Sequence, residues 1–159
     1  MSEIKNVVVI TDCEPDDYFA VFLLMQQKLE SMKFIVSCWT DPIKKAKIFK
    51  GIVSKYGNYP VYYGEPTKKE YNMNELEQFE TTEPVMKYTS DVFDGVDTVF
   101  SLTPPVDMMA LHQQNPTIFN GKKCYMYGSF NIRHLVEKEY FKFNEIYEML
   151  KSFSSVNLL

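Results

Sequence analysis

Residues 7–17 read Val-Val-Val-Ile-Thr-Asp-Cys-Glu-Pro-Asp-Asp, a short β-branched run followed at once by four carboxylates. Continuous apolar runs of this length are typical of strands buried on both faces of a sheet. The following stretch, Tyr18 to Leu29, is rich in apolar residues and predicts a helix. We therefore expect a buried strand, an acidic loop and a helix, which is the opening unit of an α/β fold.

The same alternation of strand and helix continues to the end of the chain. Further strands are predicted at Phe34–Cys38, Val61–Tyr63, Thr98–Leu102 and Lys123–Tyr127. Further helices are predicted at Pro42–Tyr56, from Pro104 through Leu111 and at Asn144–Phe153, with a short one around Asn74–Phe79. This order predicts one Rossmann-like domain over residues 1–159, with a mostly parallel open sheet and helices on both faces.

Charge and cysteine spacing bound the classes of function. The net charge is −4 and no stretch is strongly basic, which argues against a nucleic-acid partner. No apolar run reaches membrane-spanning length, so we expect no membrane partner. Three cysteines without a CxxC spacing suggest neither a disulfide framework nor a zinc site. Because the chain also begins without a signal-peptide layout, we expect a cytoplasmic protein.

The acidic loop holds Asp12, Glu14, Asp16 and Asp17 between a buried strand and a helix. In open α/β sheets, ligands bind at the carboxyl ends of the strands. A helix N-terminus supplies only about half a positive charge, too little to stabilise four carboxylates. Either some of them take up protons, or a cation binds among them. Oxygen ligands favour calcium or magnesium.

The same loop also fits the ordinary start of a helix. In that interpretation Asp16 caps the helix, Asp17 favours its dipole, and Asp12 and Glu14 are simply solvated. The spacing alone leaves both interpretations open.

A resemblance to a known family favours the cation-binding interpretation. The acidic loop resembles a signature of the inosine-uridine-type nucleoside hydrolase superfamily. That signature, Asp-x-Asp-x-x-x-Asp-Asp, follows the first strand. Its counterparts here are Asp12, Glu14, Asp16 and Asp17, with Glu in the second position and a spacing two residues shorter.

Other segments resemble that superfamily in the same order along the chain. They are Trp39-Thr-Asp41, Pro60-Val-Tyr-Tyr-Gly64, Ser101 to Leu111 with Asn115-Pro116, Tyr125 to Asn131, and Phe143-Asn144. The resemblance covers the N-terminal half of a nucleoside hydrolase. The superfamily's C-terminal portion, with a further calcium-binding aspartate and often a histidine, has no counterpart before Leu159.

The resemblance implies a role for each matching residue. Glu14 would activate a water molecule, with Asp12 supporting the catalytic site. The calcium ligands would be Asp12, Glu14, Asp17 and the main-chain carbonyl of Leu102. Ribose contacts would come from Asp16, Met126 and Asn144. Asp41 and Asp107 stand where asparagines are usual, and Asp41 is placed in the substrate site.

Aromatic residues at strand ends are candidates for stacking against a nucleobase. Trp39 and Tyr127 are equally well explained by packing, whereas for Phe130 packing is the better explanation. His112 and His134 are interpreted as surface histidines.

Two classes of function follow. The chain is either a nucleoside hydrolase that uses a divalent cation, or an inactive nucleoside- or nucleotide-binding or protein-interaction module derived from that fold. In both cases the face on which the missing portion would pack must be repolarised or covered, which predicts a homo-oligomer.

Overall fold

The computed structural model describes residues 3–38, 41–66, 76–127 and 141–158, and for Cys38 and Pro66 only the main chain. Its strands are β1 (Asn6–Thr11), β2 (Ser31–Cys38), β3 (Val61–Pro66), β4 (Met86–Lys87), β5 (Thr98–Ser101), β6 (Lys123–Met126) and β7 (Ser155–Leu158). The α-helices in these ranges are α1 (Pro15–Met25), α2 (Pro42–Val53), α3 (Val106–Gln114) and α4 (Phe143–Lys151). Two 3₁₀ helices cover Glu77–Phe79 and Ser90–Phe93.

The strands form one seven-stranded sheet in the order β4-β3-β2-β1-β5-β6-β7. Every pairing is parallel, with Val9 beside Phe34 on one side and Phe100 on the other. The chain therefore builds outwards from β1 in both directions. Such an order places the carboxyl ends of β1 and β5 at the topological switch point, where the direction in which strands are added to the sheet reverses. The prediction of an open α/β sheet is confirmed.

Two apolar cores lie on opposite faces of this sheet, because side chains alternate along each strand. On one face, Val7 and Val9 pack with residues of α1 and α2, including Val21 and Phe49. On the other face, a separate cluster holds apolar residues of α3 and α4, together with Val8, Ile10, Val92, Phe93, Met108, Met109, Ile146 and Met149. The helices therefore cover both faces, as predicted.

The boundaries of α1 differ from the prediction, which began the helix at Tyr18 and ended it at Leu29. The helix begins at Pro15, because proline suits the first helical position and the main-chain carbonyl of Glu14 accepts the first helical hydrogen bonds. It ends at Met25.

Three elements of the fold were not predicted. β4 and β7 are short edge strands with mostly exposed side chains, so they lack the apolar run that marks a buried strand. The 3₁₀ helix at Ser90–Phe93 buries Val92 and Phe93 in the core, although the residues beside it in the sequence are mostly polar. Of the short helix predicted around Asn74–Phe79, the described residues form a 3₁₀ turn at Glu77–Phe79.

Within the described ranges, no helix combines the length and the apolar character that crossing a membrane requires.

Candidate functional site

The carboxyl ends of three adjacent strands form the edge that carries the acidic loop. Just beyond β5, the main-chain N–H of Leu102 donates to the carbonyl of Ile10 at 2.9 Å. Just beyond β6, the N–H of Tyr127 donates to the carbonyl of Ser101 at 3.0 Å. These bonds align the chain after β5 and β6 with the end of β1. The acidic loop, Leu102 and Tyr127 therefore lie along one edge of the sheet.

Asp17 turns inwards from the first turn of α1 and joins the helix to the end of β1. Its Oδ2 accepts a hydrogen bond from the Thr11 hydroxyl at 2.6 Å and one from the main-chain N–H of Asp12 at 3.1 Å. The Thr11 hydroxyl also accepts from the main-chain N–H of Cys13 at 2.9 Å. Three consecutive loop residues are thus held by one hydroxyl and one carboxyl group.

The loop closes through an uncommon backbone conformation at Cys13. Its φ of 63° lies in the left-handed region, which costs a residue other than glycine about 1 kcal/mol or more. The Cys13 side chain is buried in the core between the sheet and α1, which offsets this cost. The conformation leaves the next residue, Glu14, as the N-cap of α1.

Asp12 and Asp17 form a buried acid pair. Their exposed fractions are 6% and 5%, and the two carboxyl groups lie within hydrogen-bonding reach of each other. The pKa of Asp17 is raised to about 8, mainly by burial and also by the neighbouring Asp12, while the hydrogen bond from Thr11 opposes the rise. In the absence of a cation, one proton shared by the pair removes most of the repulsion. The sequence had predicted that either protons or a cation would compensate the charge of these carboxylates.

The loop brings two of its four carboxylates together and leaves Glu14 and Asp16 outside that pair. Glu14 is half-buried, and its side chain forms no capping bond to the helix. Asp16 is exposed in the first turn of α1. The alternative interpretation placed Asp16 as the helix cap and left Asp12 solvated. It is wrong on both points. The helix begins earlier, at Pro15, so that Glu14 is its N-cap, and Asp12 is buried at the end of β1.

The other predicted site residues have varied surroundings. Asp41 is the N-cap of α2, and its Oδ1 accepts from the main-chain N–H of Lys44 at 2.9 Å. The Met126 side chain is fully buried in the core beneath α3. Tyr127 is exposed just after β6, and Asn144 is exposed in the first turn of α4.

Trp39, His134 and Phe130 lie outside the described residues. His112, interpreted from the sequence as a surface residue, is half-buried in the last turn of α3.

A second buried acid lies beside the end of β3, and its contacts were not predicted. Asp107, fully buried at the start of α3, accepts a hydrogen bond from the main-chain N–H of Glu65 at 2.7 Å. The side chains of Ser37 and Tyr88 also form hydrogen bonds with its carboxyl group. Burial raises the pKa of Asp107, and these hydrogen bonds only partly oppose the effect. The family resemblance implied for Asp107 only that it stands where an asparagine is usual.

A buried lysine at the same edge was also missed. Lys45, near the start of α2, is 2% exposed. Lysine is rarely buried, and the sequence placed it in a Lys-rich helix typical of a solvated surface. Its position after Ile43 and Lys44 offered no signal that would distinguish it from the exposed lysines of that helix.

The described residues hold no group of three or more histidine, cysteine, aspartate or glutamate side chains arranged to hold a metal ion. Asp12 and Asp17 therefore offer two side chains, and main-chain carbonyl groups would have to supply further ligands. Carboxylate and carbonyl oxygens are the ligands that calcium and magnesium accept.

No protein-family model and no curated protein matches this sequence. A function for this chain is therefore proposed from the chemistry of this edge and from the resemblance of its acidic loop.

Proposed function

We propose that this chain is a nucleoside hydrolase-like protein that binds calcium or magnesium and hydrolyses the N-glycosidic bond of a ribonucleoside. The proposal depends on one observation, the buried Asp12–Asp17 pair at the carboxyl end of the central strand. Two carboxyl groups held together away from solvent are costly unless a proton or a cation lies between them. Protons give a stable apo state, and a divalent cation would give the functional one.

The ligand set would combine Asp12, Asp17 and the main-chain carbonyl of Leu102. The hydrogen bond between Leu102 and Ile10 supports this set, because it keeps the chain after β5 beside the chain after β1. When bound, a calcium ion there would lower the pKa of a water molecule and help to hold the ribose diol.

Glu14 and Asp16 suit a role toward substrate, since both are more accessible than the buried pair. Glu14 is the proposed acceptor of the proton from the attacking water. Asp16 is the proposed partner of ribose hydroxyls. The exposed ring of Tyr127 follows the adjacent strand β6, so it can stack against the base from the same edge of the sheet.

A second candidate function is nucleoside or nucleotide binding without turnover. It is favoured by the position of the histidine that the described ranges contain. Departure of the base needs a proton donor, and His112, half-buried in the last turn of α3, lies at the far end of that helix from β5. The buried acids and an exposed aromatic ring would still suffice for recognition of a ribose and a base.

Calorimetric titration with calcium, and separately with magnesium, tests the cation site. The wild type should bind, and Asp12→Asn and Asp17→Asn should each weaken binding at least tenfold, because each removes a charged ligand. Asp16→Asn is the matched control, since it makes the same chemical change at an exposed position and should bind nearly as well as wild type. Absence of binding by the wild type would contradict the cation site.

Incubation with inosine, uridine and adenosine, followed by measurement of free ribose, tests the reaction. Glu14→Gln should abolish ribose release while leaving circular dichroism and thermal unfolding unchanged. Cation binding without ribose release, at high protein concentration, supports the binding function. Turnover that survives Glu14→Gln would exclude Glu14 as the residue that activates water.

A further inference from the structure

The helix α1 is apolar around its whole circumference. From Tyr18 to Met25 it contains no charged or amide side chain. Helices of this kind are normally covered on all sides, whereas a helix at a protein surface has a polar outer face. α1 packs against the sheet through one side only, where Val21 is fully buried.

The outer side of α1 exposes large apolar groups one turn apart. Phe19 is 68% exposed and Leu23 is 53% exposed. Phe22, on the same side, contacts Tyr56 after α2, with ring centroids 5.0 Å apart, and Tyr56 is itself largely exposed. We call Phe19, Phe22, Leu23 and Tyr56 the α1 patch. Contiguous apolar patches of this kind are uncommon on monomers and mark interaction surfaces.

We propose that the α1 patch binds the same patch of a second copy of this chain, with the two α1 helices antiparallel about a two-fold axis. Two-fold interfaces are self-complementary, and they are the commonest way in which identical chains associate. An antiparallel pairing centred between Phe19 and Leu23 sets each Phe19 against the Leu23 of the other copy. This proposal is independent of the proposed hydrolase function.

The charges at the two ends of the patch fit this orientation. Asp16 is exposed just before the apolar stretch, and Lys28 is exposed just after it. An antiparallel pair brings Asp16 of each copy toward Lys28 of the other, whereas a parallel pair would bring like charges together. The intervening exposed residues, Gln26 and Gln27, are uncharged and can form part of the polar rim of the interface.

The same charges disfavour a lipid surface as the partner. Helices that bind membranes carry Lys and Arg beside the apolar face, whereas α1 begins with Asp16 and Asp17 and carries no basic residue in its last turn. The net charge of −4 adds repulsion from anionic lipid.

Sedimentation velocity over a range of concentrations tests the interface. At about 100 µM, the wild type should have a mass approaching twice the 18.7 kDa of one chain. Phe19→Glu and Leu23→Glu should each raise the dissociation constant about tenfold or more, because each places a charge in the centre of the interface. Phe143→Glu is the matched control, since Phe143 is 66% exposed on α4 at the opposite face of the sheet, and it should sediment as wild type.

A charge exchange tests the antiparallel orientation. Asp16→Lys and Lys28→Asp should each weaken association, and the double variant should restore it. A monomeric wild type at this concentration, or glutamate variants that associate as well as wild type, would overturn the proposal. So would a double variant weaker than both single variants, or loss of dimer in favour of binding to neutral phosphatidylcholine vesicles. Thermal unfolding of each variant shows that a loss of association is not a loss of fold.

Discussion

Raising the pH of the metal-free protein should destabilise it, because Asp17 loses its proton in the folded state. Its pKa is about 8 when folded, against 3.8 for an unperturbed aspartate. Between these values the folded chain binds one more proton than the unfolded chain. The free energy of unfolding therefore falls as the pH rises through this interval.

The size of the effect follows from one proton. A difference of one bound proton changes the free energy of unfolding by about 1.4 kcal/mol for each pH unit. Between about pH 5 and pH 7 the contribution from Asp17 is therefore a loss of roughly 3 kcal/mol. This is a large part of the stability of a typical domain.

The assay is urea unfolding in excess chelator at about pH 5, 6 and 7, with Asp17→Asn measured beside the wild type. The asparagine keeps an oxygen that can accept from Thr11 and from the main-chain N–H of Asp12, but it has no proton to lose. Titrating groups outside the acid pair are common to both proteins, so the difference between the two slopes reports the proton held by that pair. Asp16→Asn is the control, because Asp16 is exposed and its variant should keep most of the wild-type slope.

Parallel pH profiles for wild type and Asp17→Asn would refute the reasoning, because they would mean that Asp17 stays ionised throughout. Repeating the series in saturating calcium links this prediction to the proposed site. A bound cation should hold Asp17 ionised at all three pH values and flatten the wild-type profile.

Three further predictions concern other parts of the fold. Gly64→Ala should destabilise the protein by about 1–3 kcal/mol in urea unfolding, because the added Cβ would lie 2.6 Å from Oδ1 of Asp107; an unchanged midpoint would contradict this close approach. Asp97→Ala should lower the free energy of unfolding by about 1–3 kcal/mol above pH 5, because Oδ2 of Asp97 accepts hydrogen bonds from the main-chain N–H groups of Lys5 and Asn6. Burial opposes ionisation of Asp97, but hydrogen bonds from Thr98 and from these N–H groups lower its pKa, so urea unfolding should show a smaller loss as the pH falls. Burial raises the pKa of the Cys124 thiol to about 12, so peptide mass spectrometry after iodoacetamide treatment at pH 8 should find it alkylated only in urea.

Much of the architecture could be read from local patterns. The β-branched run before the acidic loop predicted the buried central strand β1, and the alternation of strands and helices predicted a parallel sheet covered on both faces. Edge strands β4 and β7 were missed, since an exposed strand of two or four residues has no distinctive pattern. Their pairing depends on neighbouring strands and not on their own residues.

The candidate site could be predicted only in part from local sequence patterns. Its address, after β1, followed from the crowding of four carboxylates in six residues. The sequence did not indicate which two of these carboxylates form a buried pair, because the pairing depends on the Thr11 hydroxyl and on the left-handed backbone at Cys13. The apolar composition of α1 was visible, but only packing showed which side remains uncovered.

By itself, then, the sequence determined the buried strands of the sheet, the position of the acidic loop and the apolar character of the first helix, since each depends on residues that are neighbours in the chain. The tertiary structure decided the partners of Asp12 and Asp107, the burial of Lys45 and the exposure of Phe19. These properties arise between residues that are distant in sequence or that differ only in orientation. Side-chain chemistry sets what a group can do, while burial and neighbours set its charge and its accessibility.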